Sequence, residues 1–135
     1  MPTPRSSRPV RAHTIRAPSP ERRIACPRSS SGSFVARAGK EAEAAAAFEA
    51  LVEPTHNEEG CILYALHRGR DDPRKLAFIE RWESKDHLDA HLERDHVKQA
   101  LARFDELFES GDITAYDALP AGEHRNGSLA AHAAV

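Results

Sequence analysis

Two spacings of apolar residues alternate through the middle of the chain. Phe34-Val35-Ala36-Arg37 is a short apolar piece stopped by Gly39, which reads as the end of a first strand. From Lys40 strong helix formers take over, and Ala44, Phe48, Leu51 and Thr55 fall at i, i+4, i+7 and i+11, one stripe of a helix that Pro54 ends or kinks. Glu58-Glu59-Gly60 makes a turn. Cys61 to His67 then runs without polar alternation, which predicts a strand buried on both faces. Arg70-Asp71-Asp72-Pro73 turns the chain into a second strand, Leu76 to Trp82, and so short a turn implies an antiparallel hairpin.

Helical spacing returns after Trp82. Ser84 is a good N-cap, Asp86 sits in the first turn, and Leu88, His91 and Leu92 share a face. Asp95 is placed to cap a further helix carrying Val97, Leu101, Phe104 and Phe108, closed by Gly111. Ile113 to Tyr116 is the last strand. The order β-α-β-β-α-β, with the second crossover split into two helices, predicts an α+β domain of ferredoxin-like arrangement. Its helices cover one face of one sheet, so a second copy of the chain is the simplest cover for the other.

Charge divides the 135 residues into parts. Residues 1–33 hold seven Arg against the single acid Glu21, a formal +6, with many Ser and Pro and no apolar periodicity. Such a segment cannot bury enough surface to order itself. It reads as a disordered leader, a transit peptide or a misplaced start; the location expected is cytoplasmic, or mitochondrion or plastid for a transit peptide. Residues 34–120 hold eleven Lys and Arg against nineteen Asp and Glu, a formal −8. An acidic domain argues against a nucleic-acid groove, and no apolar run is long enough to span a membrane. The expected domain is therefore 34–119, followed by a flexible tail at 120–135. Cys26 and Cys61 lie in regions of unlike character, so no disulfide framework is expected, and Cys61 reads as a packing residue.

Chemistry concentrates in three places. Period two sets Phe78, Glu80 and Trp82 on one face of their strand, and a carboxylate between two aromatics needs a hydrogen-bond partner or a raised pKa. Glu80 is thus a structural acid held by donors, or a pocket acid beside the Trp82 wall. His87 and His91 are four apart on one helix and His96 opens the next. No Glu follows His87 as the zinc-protease helix requires, and no third ligand is evident, so no metal is expected. His91 and His96 suit proton transfer, and Tyr64 on the neighbouring strand offers a hydroxyl.

Thr55 to Cys61 (THNEEGC), Tyr64, Phe78 to Trp82 (FIERW) and His91 to His96 (HLERDH) together resemble the antibiotic biosynthesis monooxygenase family, including quinol monooxygenases. The resemblance implies a ferredoxin-like fold, a homodimer whose sheets meet as a dimeric α+β barrel, and a pocket between sheet and helices. It implies a small quinol or polyphenolic substrate oxidised by O₂ with no cofactor. Trp82 and Phe78 would then pack the ring, His96 and His91 would move protons or steady the anion, and Tyr64 and Glu80 would orient it. Glu58 matches the family's Glu before the Gly-Cys turn and would hold that turn or touch substrate. Other members isomerise or bind small molecules, which is the alternative function. Glu59 stands where the family has Pro, and the serines before Phe34 stand where it has an apolar first strand.

Overall fold

The computed structural model describes residues 28–119 and 121–127. Its elements are β1 (Arg28–Ala36), α1 (Glu41–His56), β2 (Cys61–Arg68), β3 (Lys75–Trp82), α2 (Lys85–Leu92), α3 (Asp95–Ala102), α4 (Phe104–Leu107), β4 (Phe108–Asp117) and a last turn, α5 (His124–Gly127). The four strands form one antiparallel sheet in the order β2-β3-β1-β4. This is the ferredoxin-like arrangement that the element order predicts. Cys26 and most of the basic leader lie outside the described residues, as do residue 120 and the end of the tail.

The first strand begins at Arg28, upstream of the apolar piece at Phe34, so residues 28–33 are strand. Ser and Gly are poor strand formers on average, but strand propensity measures packing against neighbours more than backbone preference. Here β1 is a central strand, bonded to β3 on one side and β4 on the other. Its inward residues Ser30 and Gly32 stand opposite Glu80 and Phe78 on β3, and the small side chains leave room for the large ones. A Cβ at Gly32 would lie 2.7 Å from the Phe34 ring.

The expected helix through Phe108 is also corrected. α3 stops at Ala102, α4 adds one turn, and Phe108 takes extended angles (φ −123°, ψ 142°) to begin β4. Apolar residues spaced three and four apart mark either a continuing helix or a helical turn followed by an inward strand residue. Packing decides: Phe108 is buried, its ring 4.6 Å from Phe48 and 5.4 Å from Phe104. Gly111 is then no helix stop but a strand position pressed on aromatics, where a Cβ would meet Phe34 at 2.6 Å. Asp95 begins α3 rather than capping it, since the cap position is Arg94 and carries no side-chain bond. The expectation that β2 is buried on both faces fails within one chain, because only Tyr64 is fully buried.

The core lies between the sheet and the helices, and Phe34 is its centre. Its ring meets Phe48 edge-on at 4.9 Å, with Phe78, Phe104 and Phe108 at 6.5, 6.3 and 5.7 Å. Each such pair adds about 0.5–1.5 kcal/mol beyond burial of area. Truncation at this point would leave a cavity that four rings cannot close. Phe34→Ala is expected to cost about 3–5 kcal/mol in urea unfolding; a loss below about 1 kcal/mol would show that the ring is not the centre of the core.

Candidate active site

The turn after α1 brings the three chemical segments together. Glu58 N–H donates to the Thr55 carbonyl at 3.0 Å and Cys61 N–H to the Glu58 carbonyl at 3.3 Å, while Glu83 N–H at the end of β3 donates to the Gly60 carbonyl at 2.8 Å. Gly60 has φ +82°, and a Cβ there would lie 2.3 Å from the His87 ring. Both the left-handed backbone and the close approach require glycine. The turn is thereby pinned over α2, and Glu58 points inward.

His91, in the last turn of α2, receives this carboxylate. Its Nδ1–H donates to Glu58 Oε2 at 2.7 Å, which assigns the proton to Nδ1 when Glu58 is ionised. The other ring nitrogen, Nε2, lies 3.5 Å from Glu80 Oε1. The side chains of His91, Glu58 and Glu80 are 3, 6 and 7% exposed, so this acid–imidazole–acid row is out of water. His91 is also flanked by rings, with Trp82 at 4.7 Å and Tyr64 at 5.3 Å. His96, at the start of α3, places Nε2 3.1 Å from Glu58 Oε2 and 3.3 Å from Thr55 Oγ1, and Arg94 Nε is 3.4 Å from Glu58 Oε1.

Burial pushes the Glu80 carboxyl above the ordinary carboxylate range, against the Ser30 hydroxyl and His91, and Glu58 adds to the rise. A protonated Glu80 can donate its O–H toward His91 Nε2. Burial is likewise the main cause that keeps Tyr64 a phenol. It pushes the Cys61 thiol up to about 11, so Cys61 stays protonated at neutral pH and packs rather than attacks.

A cavity of about 40 Å³ lies between the sheet and α1 and α3. Of the residues singled out from sequence, Phe78, Tyr64, Glu80 and His91 line it, with Phe34 and Phe48. Glu58, Trp82 and His96 stand behind His91 and do not line it. Trp82 is fully buried, and its indole N–H has no partner among the described residues. His87 turns away to Ser84, its Nδ1 2.8 Å from the Oγ, so the two histidines of α2 share no site. Among the described residues the cluster able to hold a metal ion is instead Glu58, His91 and His96, whose ligand atoms lie within 4.8 Å of one another. Sequence reasoning passed over Thr55, Ser30 and Arg94. Thr55 had a signal, being a polar residue in an apolar stripe, and a buried hydroxyl needs a partner.

The raised Glu80 pKa has a consequence for stability. Folding increases the proton affinity of this carboxyl, so its contribution is complete below the ordinary value of 4.5 and is lost as pH rises through the raised value. Glu80→Gln cannot ionise. It is expected to resist denaturant better than the native chain at neutral pH, with the difference vanishing below pH 4.5. A gap that stays constant across pH would remove burial of the acid as its cause.

A sequence profile of the antibiotic biosynthesis monooxygenase family matches residues 31–103. The chain is 31% identical over 67 residues to the uncharacterized protein YjcS of Bacillus subtilis, covering 47% of this chain and 64% of that one. It is 24% identical over 76 residues to the uncharacterized protein sll1783 of Synechocystis, covering 56% and 52%. The alignments thus span between half and two thirds of these two relatives. The solved structure of protein SO0527 from Shewanella oneidensis superposes with a TM-score of 0.65 at 31% identity, covering 67% of this chain and 88% of that one. With the profile spanning more than half of its length, this chain belongs to the antibiotic biosynthesis monooxygenase family.

Proposed function

We propose that the chain is a cofactor-independent monooxygenase that oxidises a small quinol or polyphenol with O₂. The observation that carries this reading is the meeting of one imidazole, one carboxyl and one phenol (His91, Glu80, Tyr64) with aromatic walls at a cavity between sheet and helices. A hydroquinone supplies electrons to O₂ only after it loses a proton. His91, its Nδ1–H tied to Glu58, offers Nε2 as the acceptor, and Tyr64 and Glu80 can donate to the developing oxyanion. Four electrons leave the substrate: one oxygen atom enters the ring, the other departs as water, and the hydroquinone becomes a hydroxyquinone.

About 40 Å³ is well short of the roughly 150 Å³ of an apolar cavity that holds a benzene ring. Ring entry therefore requires α3 to yield on the side of Val97 and Leu101, the latter 42% exposed. The same small volume favours the second reading, a non-catalytic or isomerase-type small-molecule-binding dimer. Chelator-treated protein should take up O₂ with hydroquinones or anthrones, and His91→Ala should lower the rate by about 10²–10⁴. No uptake above background across such a panel sinks the oxygenase reading, whereas a binding module would keep its ligand affinity after the same substitution.

The homodimer belongs to this reading. Opposite the helices, Val35, Ala65 and Ile79 are only half-buried, and Arg81 carries a buried Nε without a partner among the described residues. A second sheet would cover the apolar row and supply acceptors to the guanidinium. Sedimentation should give twice the chain mass, falling to one chain in Ile79→Glu; a native monomer would remove the dimer.

A further inference from the structure

Glu58 Oε2 is approached by two imidazole nitrogens at once, His91 Nδ1 at 2.7 Å and His96 Nε2 at 3.1 Å. A divalent transition ion sits about 2.0–2.1 Å from imidazole nitrogen and about 2.0–2.2 Å from carboxylate oxygen. At those lengths one ion bonded to all three atoms subtends each nitrogen–oxygen pair at close to a right angle; the three donor atoms lie within 4.8 Å of one another, and the two nitrogens must stand no more than about 4.2 Å apart on a shared ion. The donors come from three rigid places: the Gly60 turn, the end of α2 and the start of α3.

The surroundings match what such ions require. A metal-bound histidine ordinarily donates its remaining N–H to a carboxylate, which orients the ring. His91 Nε2 already faces Glu80 Oε1 at 3.5 Å. Thr55 Oγ1, fully buried, lies 3.3 Å from His96 Nε2 and helps to hold that ring. Arg94 engages Oε1 of Glu58 and leaves Oε2 to the ligand cluster. The set of two imidazoles and one carboxylate, with no thiolate, suits Zn²⁺, Fe²⁺ or Co²⁺ rather than Mg²⁺ or Ca²⁺, which prefer oxygen throughout. Partly exposed His96, its side chain 25% accessible, gives the entry path.

We propose that Glu58, His91 and His96 form a binding site for one divalent transition-metal ion of the zinc class, with Glu80 as the carboxylate that orients His91. The proposal is independent of the oxygenase reading, since binding is measured without substrate. Metal and protons compete for the same donor atoms, so the metal-free state keeps the hydrogen bonds described above and the loaded state exchanges them for coordination. Loading takes Nδ1 of His91 and leaves Nε2–H aimed at Glu80, which withdraws the imidazole from service as a base toward the cavity.

The test is titration of the chelator-stripped full chain with Co²⁺, followed by visible absorption and equilibrium dialysis. One Co²⁺ per chain is expected, with ligand-field bands of nitrogen and oxygen donors, no thiolate charge-transfer band, and displacement by Zn²⁺. Glu58→Gln and His96→Ala should each weaken binding about tenfold or more, Glu80→Gln about 10–100-fold as an orienting partner, and His87→Ala not at all. Histidine ring resonances provide a check that does not depend on a variant folding: Zn²⁺ should shift His91 and His96 and leave His87 in place. Absence of saturable binding, binding unchanged in folded His96→Ala, or ring shifts confined to other histidines would each overturn the site.

Discussion

The hydrogen bond from His91 to Glu58 joins parts of the chain 33 residues apart, and the whole functional end of the domain is arranged around it. A carboxyl with 6% of its side chain exposed needs hydrogen-bond partners. Glu58 meets that requirement with His91, His96 and Arg94, which belong to α2, α3 and the link between them. The second crossover is therefore attached to the turn after α1 by charge and hydrogen bonding as well as by apolar contact. Removing one partner leaves a buried polar group unsatisfied, at a cost of about 1–3 kcal/mol.

His91 has two faces to serve. Toward Glu58 it is a donor; toward Glu80 and the cavity it presents the other nitrogen. Trp82 and Tyr64 close on its ring from the sides and hold it in that orientation. The two carboxyls differ in surroundings, one supplied with three cationic or imidazole donors and the other pressed between aromatics with a serine hydroxyl. Burial raises the proton affinity of Glu80. The same row of donor atoms carries both proposals, proton transfer and metal capture, and a metal and a proton exclude one another at Nδ1.

Room for this arrangement comes from the least promising stretch of sequence. Ser30 and Gly32 lie opposite Glu80 and Phe78, and bulky strand residues there would fill the space that the cavity occupies. β1 holds its place through ladders on both sides and through Phe34 and Ala36, which are buried at its end. A strand can be poor in propensity and still central when its neighbours supply the hydrogen bonds and the apolar cover. Gly111 on β4 makes the matching concession to Phe34 and Phe104.

Periodicity along the chain was enough to place α1, the β2–β3 hairpin, α2 and the order of elements, because each buries one regular face and its apolar residues must repeat accordingly. The motif set likewise singled out Glu58, Tyr64, Phe78, Glu80, Trp82, His91 and His96, which the fold brings near one another, but not Thr55, Ser30 or Arg94 beside them. The tertiary structure alone decided how they meet. Local spacing paired His87 with His91, whereas folding turns His87 to Ser84 and joins His91 to Glu58 and, through its carboxylate, to His96. It also decided that Trp82 backs His91 instead of facing the cavity, that Phe108 leaves the helix, and that a serine-rich segment is strand. Each of these depends on which distant side chain arrives opposite, a pairing across the sheet and its crossovers that neighbouring residues do not encode.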